Sequence, residues 1–97
     1  MKLRFTPRAI ENINELADYL NERSPSAARN VRAAIYERLQ TLLMFPRAGR
    51  RQNAEDVRKV VTRRYRYLIY YMHDEPGEEI IILNIKHPAE DREHEDP

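Results

Sequence analysis

Residues 57–87 read VRKVVTRRYRYLIYYMHDEPGEEIIILNIKH, and this stretch decides the fold. It contains three runs rich in β-branched and aromatic residues, which are typical of β-strands, at 57–61, 65–72 and 79–87. The connections between the runs are short, and the proline and glycine of residues 74–77 suit a tight reversal. Strands joined by such short connections pair side by side in opposite directions. We therefore predict a three-stranded antiparallel meander.

Two helices are predicted before the meander. Thr6-Pro7 and Ser24-Pro25 each place a capping residue before a proline at the first helical position. Apolar residues then recur at helical spacing, first at Ile10, Ile13, Leu16, Ala17 and Leu20 and then at Ala28, Val31, Ile35, Leu39, Leu42 and Phe45. The first helix is expected to end at about Asn21, with Glu22 and Arg23 as the connection. The second helix is expected to end before Pro46. So short a link predicts an antiparallel helical hairpin.

The N-terminus and residues 46–56 complete the prediction. Leu3 and Phe5 alternate with Lys2 and Arg4, which is the period of a half-buried strand. The helical hairpin would supply the crossover that a parallel pairing of this strand requires. Residues 46–56 contain Gly49 and show no apolar periodicity, so they are predicted to form a loop.

The predicted fold class is therefore α+β, with the order β-α-α-β-β-β. At 97 residues the chain fits one domain, 1–97, in which residues 88–97 form an acidic C-terminal tail. The helical hairpin is expected to cover one face of the sheet. In this arrangement Ile10 and Ile35 would share a core with three residues of the last strand, Ile81, Leu83 and Ile85.

The charges are segregated along the chain, although the net charge is only +1. Residues 47–66 contain eight arginines and lysines against two acids, and most residues of the tail are acidic or basic with acids in excess. Such a basic segment is either a solvated surface or a binding surface for an acidic partner. Without cysteine the chain has no disulfide, thiolate zinc site or cysteine nucleophile. The longest apolar run, 80–83, is far too short for a membrane span, so we expect a cytoplasmic protein without membrane contact.

Several of these features together resemble the ParE/RelE toxin superfamily over nearly the whole chain. The resemblance is carried by Thr6-Pro7, by residues 45–49 (FPRAG), by residues 65–71 (YRYLIYY) and by residues 82–88 (ILNIKHP). It implies the toxin of a type II toxin–antitoxin module, neutralised by a ParD-like antitoxin whose C-terminal segment wraps it. The N-terminal part of such an antitoxin binds operator DNA, so DNA contact is expected only through the antitoxin.

The superfamily contains two toxic activities. RelE-like members cut messenger RNA on the ribosome, and resemblance to them would make Arg66 a phosphate-binding residue. The candidate catalytic set would then be Arg66, His87 and His94, because cleavage of a phosphodiester needs cations, a base and an acid. The acidic tail opposes this interpretation, since each exposed carboxylate repels phosphate by on the order of 1 kcal/mol.

ParE-like members trap DNA gyrase on cleaved DNA without bond chemistry, and the chain's ending, residues 85–92 (IKHPAEDR), is closer to theirs. The preferred interpretation is therefore a gyrase inhibitor with no catalytic residue, metal or cofactor. Its partner-binding residues would be Arg58, Arg63, Arg64, Arg66, His87 and Arg92. A non-toxic peptide-binding module remains an alternative. A metal site of His73, His87 and His94 is disfavoured, because their spacing fits no zinc pattern and His73 is expected in a turn.

Overall fold

The structure is a computed structural model that describes residues 1–54 and 56–89. Its elements are β1 (Lys2–Phe5), α1 (Pro7–Arg23), α2 (Pro25–Met44), β2 (Arg50–Arg51), β3 (Val57–Val61), β4 (Leu68–Asp74) and β5 (Glu79–Lys86). The predicted α+β class is confirmed. Arg92, His94 and the rest of the acidic tail from residue 90 lie outside the described residues. Within the described part of the chain, no helix has the length and apolar character needed to cross a membrane.

One mixed sheet holds all five strands in the order β1-β5-β4-β3-β2. β1 runs parallel to β5, with Leu3 opposite Ile80 and Phe5 opposite Ile82. The other neighbouring strands are antiparallel. The predicted meander is confirmed, and the N-terminal strand takes a parallel pairing for which the helical hairpin supplies the crossover. The two outer strands of the sheet are β1 and β2.

The prediction of a continuous loop over residues 46–56 was wrong. Arg50 and Arg51 form β2, which pairs antiparallel with Lys59 and Arg58 of β3. A strand of two residues is held by backbone hydrogen bonds to its neighbour and needs no apolar alternation. Hydrophobic patterning therefore could not reveal it.

Both helices begin at the predicted caps. The Thr6 hydroxyl accepts a hydrogen bond from the Ala9 amide (3.1 Å), and the Ser24 hydroxyl accepts one from the Ala27 amide (3.2 Å). The expected end at Asn21 was wrong, because Glu22 and Arg23 continue α1. Nothing in these two residues breaks a helix, whereas Ser24 precedes a proline and is forced into extended backbone. Ser24 alone therefore ends α1 and caps α2.

The helices cover one face of the sheet and form the core with it. Ile35, Leu39 and Leu42 of α2 join a cluster that the sheet completes with Val60, Ile69, Tyr71, Ile80, Ile82 and Ile85. The prediction that Ile81 and Leu83 lie in this core was wrong, because their side chains face the side of the sheet opposite the helices. The prediction that Ile10 lies in the core was wrong as well, since Ile10 is 50% exposed.

A β-bulge explains the error in β5. Tyr71 pairs with Ile82 while Tyr70 pairs with Asn84, so Leu83 is an extra residue without a partner in β4. Ile82 and Ile85 consequently face the same side although they are three residues apart. A run of consecutive apolar residues gives no sign of such a shift. Whichever set of alternate residues faced the core, it would bury isoleucine or leucine.

Candidate functional site

The turn between β3 and β4 is built on Thr62, which is 1% exposed. Its hydroxyl donates to the carbonyl of Arg64 (2.6 Å) and accepts from the amide of Tyr67 (2.9 Å). The Thr62 amide also donates to the carbonyl of Tyr67 (2.9 Å). These three bonds close residues 63–66 into a compact turn.

Tyr65 and Arg66 adopt left-handed backbone conformations in this turn, with φ of 68° and 54°. A strand cannot contain such residues, so the predicted strand over 65–72 begins instead at Leu68. Left-handed conformations cost roughly 1–3 kcal/mol each for residues other than glycine and persist only where the surroundings enforce them. The hydrogen bonds of Thr62 supply that enforcement here.

Three of the predicted partner-binding residues, Arg63, Arg64 and Arg66, are exposed in the turn. The Arg64 guanidinium lies over the Tyr65 ring, 5.0 Å from its centroid. Among residues 1–54 and 56–89, none of the three arginines forms an ion pair with a carboxylate. Within the described residues, the turn therefore presents positive charge that no carboxylate pairs with, beside an aromatic ring. We call residues 63–66 the basic turn.

Next to the basic turn, the sheet face opposite the helices carries further cations. Lys59, Tyr70 and Asn84 are neighbours across β3, β4 and β5. The Lys86 ammonium is 5.3 Å and the Lys59 ammonium 5.9 Å from the centroid of the Tyr70 ring. The sequence interpretation did not single out either lysine. Their pairing with an aromatic residue depends on strand register, which only the structure gives.

His87 follows β5 at the same end of the sheet. Its ring meets the Tyr67 ring edge-on, with centroids 5.4 Å apart, and its Nδ1 accepts a hydrogen bond from the Ala89 amide (3.1 Å). A cleft of about 460 Å³ lies between this contact and α1, lined by Asn12, Glu15, Leu16, Tyr19, Tyr67, Ile85 and His87. Arg66 directly precedes Tyr67 in the chain, and the His87 ring contacts the Tyr67 ring. The cleft itself has no arginine or lysine in its lining within the described residues.

Arg58, the remaining predicted partner-binding residue in the described chain, has backbone partners. Its guanidinium donates to the carbonyl of Gly49 (2.9 Å) and lies 3.4 Å from the carbonyl of Arg47. It therefore fastens the loop after α2 to β3. This use is structural, in contrast to the exposed arginines of the basic turn.

Tyr71 fastens the same loop from inside the core. Its hydroxyl accepts from the Gly49 amide (2.9 Å) and donates to the carbonyl of Pro46 (2.7 Å). Burial raises the pKa of the Tyr71 phenol above its ordinary value of 10.0. A Cβ atom at Gly49 would lie 2.6 Å from this hydroxyl, so only glycine fits beside it. Within the resemblance segment FPRAG, Tyr71 therefore accounts for the glycine at position 49 and holds the carbonyl of Pro46.

His73 was expected in a turn, but it belongs to β4 and pairs with Ile80. It lines a polar pocket of about 310 Å³ with Arg47, Arg51, Asp56, Arg58 and Glu75. Arg47 is hydrogen-bonded to Glu75 and thereby lowers the pKa of that carboxyl. His73 and His87 stand at opposite ends of the β4–β5 pair. Because each residue of a strand adds about 3.3 Å, they are too far apart to share a metal ion.

An apolar groove of about 180 Å³ runs between the two helices. It is lined by Phe5, Ile13, Leu16, Ala17, Leu20, Ala28, Val31, Arg32, Ile35, Tyr36 and Leu39. Tyr36 stands at its rim and is 62% exposed, while Ile10 of α1 is 50% exposed. The sequence predicted the two apolar stripes but assigned them wholly to the core. The structure instead leaves part of both stripes open to this groove.

A model of the ParE toxin of type II toxin–antitoxin systems matches residues 3–92. This chain belongs to the ParE toxin family. The protein Y4kP of Sinorhizobium fredii (strain NBRC 101917 / NGR234) is 28% identical over 86 residues, which cover 89% of this chain and 86% of that protein. These findings confirm the resemblance seen in the sequence.

Solved structures agree with the family assignment. The chromosomal ParDE system from P. aeruginosa contains a chain with 26% identity and a TM-score of 0.74, covering 90% of this ParE-family chain and 95% of that one. A chain of the intact E. coli RelBE toxin–antitoxin complex has 17% identity and a TM-score of 0.63, covering 88% and 93%. At that identity the RelBE likeness shows the shared fold alone.

Proposed function

We propose that this ParE-family toxin arrests growth by trapping DNA gyrase on cleaved DNA, without making or breaking bonds itself. The observation that carries the proposal is the match to the ParE toxin model over residues 3–92. The geometry around His87 supports it. The Nδ1 atom of His87 already accepts a hydrogen bond from the Ala89 amide. Among the described residues, the lining of the adjacent cleft has no arginine or lysine to stabilise a charged phosphodiester intermediate.

An antitoxin would neutralise the toxin by covering the helical groove and the free edge of β1. The related P. aeruginosa and E. coli structures are described as toxin–antitoxin systems or complexes. The groove between α1 and α2 would receive the apolar face of an amphipathic helix, with Tyr36 as an exposed anchor. The outer edge of β1, which pairs with no other strand among the described residues, would accept an added strand from the same segment.

The gyrase proposal is tested with purified protein, gyrase, ATP and a supercoiled plasmid. The expected result is an increase in linear plasmid after denaturation and protease treatment, which reports trapped cleavage complexes. Toxin premixed with its antitoxin is the control and should leave the plasmid intact. Absence of linear plasmid at toxin concentrations that stop growth would refute the proposal.

RelE-like cleavage is the second candidate, favoured by the contact between the Tyr67 and His87 rings and by Arg66, which directly precedes Tyr67 in the chain. Purified toxin added to ribosomes translating a defined messenger tests it directly. The gyrase proposal expects no codon-linked cleavage in this assay. If the natural chain cleaved the messenger and the Arg66→Ala variant did not, the ribonuclease assignment would replace the gyrase assignment.

The antitoxin surface is tested by placing a charge at the groove. Tyr36→Asp is expected to weaken antitoxin binding roughly 30-fold or more in calorimetry, because a buried aromatic anchor contributes about 2 kcal/mol or more. Tyr19→Asp is the matched control, since Tyr19 is 53% exposed and lies outside the groove lining. Equal affinity loss for both variants would argue against groove docking.

A further inference from the structure

The polar pocket of about 310 Å³ lies at the end of β3 and β4 that is opposite the basic turn. Its lining consists of four basic and two acidic residues: Arg47, Arg51, Arg58, His73, Asp56 and Glu75. None of the six belongs to a helix, and none is apolar. We call this site the arginine pocket. The proposed gyrase function makes no use of it.

Strand register places two of these arginines side by side. Arg51 of β2 is directly opposite Arg58 of β3, and Arg58 is in turn opposite Tyr71 of β4. Residues directly opposite each other project from the same face of a sheet, so both arginines share the helical face with Tyr71. His73 follows Tyr71 by two residues and projects from that face as well. The arginine pocket is therefore built by three adjacent strands.

The charges in the arginine pocket are only partly balanced. Arg47 is hydrogen-bonded to Glu75, so these two charges compensate each other. Within the part of the chain that the structure describes, Arg51, Arg58 and His73 form no ion pair with a carboxylate. Like charges directly opposite each other destabilise a sheet. A bound anion would remove the repulsion between Arg51 and Arg58.

Charge on a short edge strand also keeps sheets from associating edge to edge. That role would account for the two arginines of β2, but it does not call for Arg58 or His73, since β3 and β4 are inner strands. Arg58 is moreover held in a fixed position. Its Nη1 atom makes both contacts with the loop carbonyls, which leaves the N–H groups of Nε and Nη2 as further donors. Donors that are already fixed lose little side-chain freedom when a ligand binds.

These donors fit a phosphate group. A guanidinium group binds two phosphate oxygens at once, and arginine clusters commonly recognise phosphate. Asp56 in the lining disfavours a singly charged carboxylate, whereas a phosphate monoester carries roughly 1.5 to 2 negative charges. The pocket also exceeds the roughly 30 Å³ that one water occupies in the liquid about tenfold. It therefore has room for a phosphate group and for a small polar molecule attached to it.

We propose that the arginine pocket binds a phosphate group through Arg51, Arg58 and His73, supplied by inorganic phosphate or by a small phosphomonoester. The pocket is separate from the cleft at His87, and its lining has no tyrosine or phenylalanine on which a base could stack. The proposal goes beyond the gyrase function, because binding is measured without gyrase and either proposal can fail alone. A ligand that binds only the folded chain would also stabilise the toxin.

The test is isothermal titration calorimetry of the full chain with inorganic phosphate and with glycerol phosphate. Glycerol is the ligand control and should give no binding heat. Equal affinities for the two phosphates would identify inorganic phosphate as a sufficient ligand. Tighter binding of glycerol phosphate would identify a phosphomonoester as the source of the phosphate group.

The variant Arg51→Gln should lower the affinity for inorganic phosphate about tenfold, because it removes a charge-assisted pair of hydrogen bonds. Arg50→Gln is the matched control. It removes the same charge from the same strand, but Arg50 projects from the other face and does not line the arginine pocket. This control should bind phosphate within about twofold of the natural chain, because salt screens exposed charges that are not in contact.

Asp56→Asn should produce a gain in affinity, which a misfolded variant could not show. Removing this carboxylate from the lining should strengthen phosphate binding about fivefold, because it removes a like-charge repulsion. Asparagine also tolerates the left-handed φ of 62° at this position, so the variant should keep the fold.

Four results would overturn the proposal. The first is the absence of binding heat with both phosphates at millimolar concentration. Equal losses for Arg51→Gln and Arg50→Gln would show that positive charge in general attracts the anion. Unchanged affinity in Asp56→Asn would place the anion outside the arginine pocket. Stronger binding of a glutamate tripeptide than of glycerol phosphate would identify a carboxylate ligand instead. A loss confined to Arg51→Gln, together with the gain in Asp56→Asn, would support the phosphate site.

Discussion

Removing one hydroxyl, by Tyr71→Phe, should destabilise the whole domain. The Tyr71 ring is fully buried, and its hydroxyl bonds the Gly49 amide at 2.9 Å and the Pro46 carbonyl at 2.7 Å. Each such bond contributes a net of about 1 kcal/mol, and the loss is somewhat larger where, as at the Gly49 amide, the remaining partner is left buried and unpaired. We therefore expect the free energy of unfolding to fall by about 2–3 kcal/mol, a large part of the roughly 5–15 kcal/mol typical of a domain.

Urea and thermal unfolding followed by circular dichroism measure this loss. The melting temperature should drop by roughly 10–20 °C, because about 1 kcal/mol corresponds to roughly 4–8 °C in a domain of this size. Tyr36→Phe is the matched control, since Tyr36 is 62% exposed and its variant should unfold within about 0.5 kcal/mol of the natural chain. If the two variants had equal stability, the loop after α2 would not depend on the Tyr71 hydroxyl.

Three further predictions concern the same contacts. Gly49→Ala should cost about 2 kcal/mol in unfolding free energy, because its Cβ would lie 2.7 Å from the buried Tyr71 ring; an unchanged urea midpoint would contradict this. Thr62→Val should cost about 2 kcal/mol through the two lost hydroxyl bonds, whereas Thr62→Ser keeps them and should lose less; equal losses would assign the effect to packing. The raised pKa of Tyr71 means that its stabilising contribution is complete below its unfolded pKa of 10.0 and is lost as pH rises through the folded pKa. The stability gap between the natural chain and Tyr71→Phe should therefore narrow above about pH 10 in urea titrations, and a constant gap would contradict it.

Part of the candidate site was readable from the sequence. The arginines at 63, 64 and 66 stand out as a charge cluster in the sequence, and the structure places all three at the surface. Arg58 belongs to the same cluster but is committed to backbone carbonyls, which charge counting cannot reveal. Lys59, Tyr70 and Lys86 are far apart in the sequence, and strand pairing alone brings them together.

The helices and the order of the predicted elements followed from the sequence by itself, as did the crossover that permits a parallel β1. Their causes are local or periodic: Thr6-Pro7 and Ser24-Pro25 cap helices, and a crossover of two helices returns the chain parallel to β1. Tertiary structure alone decided β2, the left-handed turn at Tyr65 and Arg66, and which isoleucines of β5 are buried. Those features depend on hydrogen bonds and a bulge between residues distant in the chain. When every residue from Ile80 to Leu83 is apolar, burial is set by the partner strand and not by the pattern.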